Sequence, residues 1–111
     1  MSERIKKLND LLRDEVGQII THELDKDDGA LITVIGADVS PTLENATIRI
    51  SVFPDDKALV SLKKLKEEVY HIQQLLNKRL VMRPVPKIRF EIDATEERAE
   101  KIEKLLGEIA K

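Results

Sequence analysis

The triplet Pro84-Val85-Pro86 lies between two segments of different periodicity, and that junction limits the possible folds more than any other stretch. Proline lacks an N–H, collides with the preceding helical turn and pushes the residue before it towards extended geometry, so no helix continues through the triplet. Upstream, Leu62, Leu65, Val69, Ile72, Leu75, Leu76 and Leu80 recur at helical spacing. Downstream, Ile88, Phe90 and Ile92 alternate with Lys87, Arg89 and Glu91. The two patterns predict a helix from Leu59 to Val81, long enough for a kink or break, and then a strand whose charged residues share its outer face.

The remaining segments fit around this junction. Ile5, Leu8, Leu12, Val16, Ile19 and Ile20 form a helical stripe between Ser2 and Leu24, closed by the turn cluster Asp25 to Gly29. Ala30 to Ser40 is β-branched and apolar on both parities until Asp38, which predicts a strand covered on both faces for much of its length. After Pro41, residues Ala46, Ile48, Ile50 and Val52 alternate with Thr47, Arg49 and Ser51, giving a half-buried strand close enough to form an antiparallel hairpin with the first. Asp55 and Asp56 offer caps for the second helix. Thr95 offers one for a last helix with the stripe Ala99, Ile102, Leu105, Leu106 and Ile109. The order α-β-β-α-(α)-β-α predicts an α+β fold, a small sheet with helices on one face. The 111 residues fit a single domain, 1–111.

Catalytic chemistry has little to work with. His22 and His71 are single and sit in helical patterns. Asp27-Asp28 and Asp55-Asp56 stand where turns and caps need acids, and the four glycines are isolated. No enzyme, cofactor, metal or small-molecule substrate is expected. With no cysteine, no apolar run of membrane length and charges throughout MSERIKKLNDLL, the chain reads as a soluble cytoplasmic protein without a membrane partner.

Charge is unevenly placed. The net charge is −2, yet residues 1–60 carry −5, residues 61–90 carry +6 and residues 91–111 carry −3. The basic block reads either as a polyanion-binding face or as a solvated helix that uses lysine for solubility. The candidate RNA-binding residues are Lys63, Lys64, Lys66, Gln74, Asn77, Lys78, Arg79, Arg83, Lys87 and Arg89. Cations there can neutralise phosphates, and amides can donate to sugars or base edges. Gln73 is expected beside Gln74, pointing largely away from the core. With three aromatics in the chain, backbone and shape recognition is favoured over base stacking. A protein-interaction adaptor without RNA affinity would use the same lysines on an acidic partner.

Three segments resemble the ribosome-binding factor A family. They are RIKKLNDLLRDEVGQIITHEL, VIGADVSPTLENATIRISVF and LLNKRLVMRPVPKIRFEID, the last through Leu76, Leu80, Met82, Arg83, Pro86, Ile88, Phe90 and Asp93. Thr42 stands where the family usually has an acid, and Glu68-Val69-Tyr70 where it has an Ala-x-Gly helix kink. The resemblance implies a KH-like fold of the second type, α-β-β-α-α-β plus a C-terminal helix, with a three-stranded mixed sheet. It also implies a non-catalytic monomer that binds the immature small (30S) ribosomal subunit and its 16S rRNA. Such a protein assists maturation of the rRNA 5′ end and supports ribosome biogenesis at low temperature.

Overall fold

A computed structural model describes residues 3–24 and 29–93. The last predicted helix and the Asp25 to Asp28 part of the first turn lie outside the described residues. The elements are α1 (Glu3–Glu23), β1 (Leu31–Val39), β2 (Asn45–Phe53), a 3₁₀ turn (Asp55–Lys57), α2 (Ala58–Arg79) and β3 (Lys87–Ile92).

The sheet has the order β1-β2-β3. β1 pairs antiparallel with β2 as a hairpin, and β3 lies parallel to β2 on its other side. A parallel neighbour needs a crossover, and α2 supplies it. Ala46, Ile48, Ile50 and Val52 of β2 point to one face with Ile88 and Phe90 of β3. They meet Leu12, Val16, Ile19 and Ile20 of α1 and Leu65, Ile72 and Leu76 of α2 in one core. Both described helices therefore cover the same face, as an α+β, KH-like arrangement requires.

Three local expectations are corrected. β1 is not covered on both faces. Val34 faces Ile50 while Gly36 faces Arg49, so Ile35 is an extra, bulged residue. A bulge advances the pleat by one residue. The inward positions are Ile32 and Val34 before it and Ala37 and Val39 after it, which places apolar residues on both parities of a strand with one exposed face. The second helix shows no break: α2 runs through Glu68-Val69-Tyr70 without interruption for 22 residues. No Pro or Gly lies between Ala58 and Arg79 to interrupt its ladder. Asp55 and Asp56 do not take the N-cap position of α2. They form the 3₁₀ turn, and Lys57 takes the N-cap position without a side-chain cap bond.

The junction behaves as its prolines require. α2 stops at Arg79, Leu80 is extended, and Pro86 is buried. Gly29, at φ +73°, adopts a left-handed geometry that glycine accommodates without a Cβ clash.

Candidate nucleic-acid interface on the second helix and third strand

Helical spacing and burial sort the basic segment into three groups. Ala58, Ser61, Leu65, Ile72 and Leu76 form the buried side of α2. At i, i+3 and i+4 steps on the opposite side lie Lys63, Lys66, Tyr70, Gln74 and Lys78, all exposed, with half-buried Asn77 beside them. Glu67 lies within this stripe and tempers its charge. Lys64 is half-buried on the flank away from β3.

Tyr70 is the residue that composition undervalued. It is 75% exposed in the middle of the stripe. Its position four residues from both Lys66 and Gln74 was the available signal. A phenol held clear of the core can stack on an unpaired base.

Two arginines are engaged within the protein. One Nη of Arg79 lies 3.2 Å from Glu15 Oε2 and 3.2 Å from Gln18 Oε1, so this side chain ties α2 to α1. Arg83 folds back and donates to the carbonyls of Asn77 at 2.9 Å, Leu80 at 2.6 Å and Met82 at 2.6 Å. A cation over the last carbonyls of a helix satisfies acceptors that have no intrahelical partner and complements the dipole. Both arginines remain at the surface, but their hydrogen bonds hold the end of α2 in place.

Gln73 also departs from the expected outward direction. Its Nε2 donates to Pro86 O at 3.1 Å and to Asn77 Oδ1 at 3.1 Å, while its Oε1 accepts from Ile88 N–H at 2.9 Å. The amide thus occupies the first rung of the β3 edge, as a peptide group of another strand would.

Lys87 and Arg89 project from the sheet face opposite the helices. Arg89 sits opposite Thr47 in the parallel register, and its Nε donates to Thr47 Oγ1 at 3.0 Å. A hollow of about 560 Å³ here is lined by Asp38, Ser40, Asn45, Thr47, Lys87 and Arg89. Arg49, on the same face, is paired: its Nε lies 2.8 Å from Asp38 Oδ2, and its Nη1 lies 3.9 Å from Asp93 Oδ1. Gly36 makes room for this arrangement, since a Cβ there would collide with the Arg49 guanidinium.

The cations are therefore not a single patch. Lys66 lines a groove of about 370 Å³ between α2 and β3 with Val69, Ile88, Arg89, Phe90 and Glu91. Lys63 and Lys78 lie along the outer side of α2, and Lys87 marks the start of β3. Among the described residues no cluster of His, Asp or Glu could hold a metal ion, and no helix is long and apolar enough to cross a membrane.

The family profile described as Ribosome-binding factor A matches residues 4–106. The chain belongs to the ribosome-binding factor A family. A ribosome-binding factor A from Chlorobium limicola is 34% identical over 114 aligned positions, covering 100% of this chain and 95% of the relative. One from Rhodopirellula baltica is 31% identical, covering 97% and 80%. The crystal structure of ribosome-binding factor A from Thermus thermophilus superposes with a TM-score of 0.69 at 19% identity, over 79% of this chain and 93% of that one. A homology model of Thermus thermophilus ribosome-binding factor A, fitted into a cryo-electron microscopy map of a 30S complex, gives 0.64 at 21% identity, over 77% and 90%. The two superpositions show that the fold is that of ribosome-binding factor A.

Proposed function

We propose that this chain binds the immature small ribosomal subunit in the cytoplasm as a monomer. It assists maturation of the 5′ end of 16S rRNA without catalysing a step, and supports ribosome assembly at low temperature. The observation that carries this reading is the exposed stripe Lys63-Lys66-Tyr70-Gln74-Lys78 on α2 of a ribosome-binding factor A family member. Its lysines neutralise phosphates, Gln74 and Asn77 offer amides to sugars or base edges, and Tyr70 stacks on an unpaired base. Lys87 and Arg89 extend the contact along β3. Binding energy spent on one rRNA conformation shifts the population towards it, which is the form that assistance without catalysis takes.

Lys78 is the cleanest probe, because it is exposed and has no hydrogen-bond or ion-pair partner among the described residues. Reversing Arg79 or Arg83 would also disturb the end of α2. Co-sedimentation with free small subunits, large subunits and assembled ribosomes across a salt series is expected to show selective, salt-sensitive binding to free small subunits. Lys78→Glu should weaken that binding and reduce the slope of log affinity against log salt by about one. Undiminished affinity in a folded Lys78→Glu variant would remove Lys78 from the interface. Association insensitive to salt would favour a protein contact instead of rRNA.

A further inference from the structure

Among the described residues β3 is an edge strand, and its open side is built to be self-complementary. Lys87 N–H donates to Glu44 O at 2.9 Å and Asp93 N–H to Ile50 O at 2.8 Å, so the odd-numbered residues turn their backbone groups towards β2. By strand alternation, Ile88, Phe90 and Ile92 turn theirs to the open side. Gln73 takes Ile88 N–H, whereas the N–H groups of Phe90 and Ile92 have no partner among the described residues. The groove lined by Lys66, Val69 and residues 88–91 leaves space beside this edge.

The side chains follow an antisymmetric order. Lys87 and Arg89 precede Phe90, and Glu91 and Asp93 follow it. If a second copy lies antiparallel with Phe90 opposite Phe90, Arg89 meets Glu91, Lys87 meets Asp93 and Ile88 meets Ile92. A parallel, in-register copy would set like charges against each other at every one of these charged positions. Charged residues on an edge ordinarily deter pairing. Here their order deters the parallel arrangement and favours the antiparallel one.

We propose that this chain self-associates through its β3 edges, as a two-fold symmetric pair that joins two three-stranded sheets into one. Phe90 exchanges both backbone hydrogen bonds with Phe90 of the second copy, and the ladder ends there, because the Gln73 amide already occupies the rung at Ile88 that Ile92 of the second copy would need. Arg89 and Glu91 then fall at the non-hydrogen-bonded positions, where facing side chains approach most closely. Arg89 gives up an exposed hydrogen bond to Thr47 for an ion pair made twice by symmetry. Gln73 stays on Ile88 N–H and keeps the ladder short, so the pair is weak and forms only at high protein concentration. Because the pair covers Arg89, it excludes that residue from any contact with the subunit.

Sedimentation equilibrium from micromolar to millimolar protein tests this, with amide hydrogen exchange at Phe90 as a local readout. A monomer–dimer equilibrium is expected, with exchange at that amide slowing as concentration rises. Arg89→Glu and Glu91→Arg should each weaken the dimer about tenfold, since each replaces two attractive cross-strand pairs with two repulsive ones. The double variant Arg89→Glu with Glu91→Arg should restore it. A chain that stays monomeric at millimolar concentration overturns the proposal, as does a dimer indifferent to both single changes or one that the double variant fails to restore. Circular dichroism establishes that each variant is folded. Because the readout is self-association, a failure here leaves the subunit-binding result to stand or fall by itself.

Discussion

The hydroxyl of Ser61 is fully buried on the inner side of α2 and has no hydrogen-bond partner among the described residues. A buried polar atom without a partner keeps its desolvation cost, and serine is also a poorer helix former than alanine. Ser61→Ala is therefore expected to raise the urea midpoint by the equivalent of about 1 kcal/mol. A lowered midpoint would mean that the hydroxyl has a partner in solution. The apolar stripe read from the sequence begins at Leu62 and passes over Ser61, whose burial without a partner among the described residues became visible only when the neighbouring elements were in place. The same holds for Arg83: its charge was legible, whereas its use as a cap depends on Pro84 and Pro86 turning the chain back beside the helix end.

At the level of elements, each edge of the sheet is partly closed by a side-chain amide from the helix that covers it. Asn9 of α1 accepts from Val39 N–H at 2.8 Å at the end of β1, and Gln73 of α2 brackets Pro86 O and Ile88 N–H at the start of β3. Gln73→Ala leaves two part-buried backbone groups unpaired and should destabilise the fold by about 1–2 kcal/mol, read from chemical denaturation. Faster amide exchange at Ile88 would locate the loss. If stability and exchange are both unchanged, water replaces the glutamine at no cost and the clamp has no structural weight. The existence and type of the described elements were legible because their apolar periodicities are long and clean. The β1 bulge was not: an extra residue and a strand buried on both faces produce the same apolar pattern, and only pairing with β2 separates them.

Across the whole molecule, β2 is the element on which the others depend, since it pairs with both other strands and carries the centre of the inner face. Ile48 is fully buried there. Ile48→Ala should cost about 3–5 kcal/mol, a large part of the stability of a domain this size, and cooperative thermal unfolding would show it as a markedly lower midpoint. A loss below about 1 kcal/mol would mean that the core closes around the cavity. The α+β class, the order and approximate limits of the described elements, the inner face of β2 and β3, and the basic segment between residues 61 and 90 were all legible in the order of amino acids. These follow from local rules of periodicity, proline geometry and charge. Packing settled which basic side chains remain available. It turned Arg79 onto α1, folded Arg83 over the end of α2, drew Gln73 onto the edge of β3 and left Tyr70 exposed between lysines. The physical reason is that a side chain's direction and partners depend on elements brought together from distant parts of the chain, as with Arg79 and Glu15, and no local pattern records that pairing.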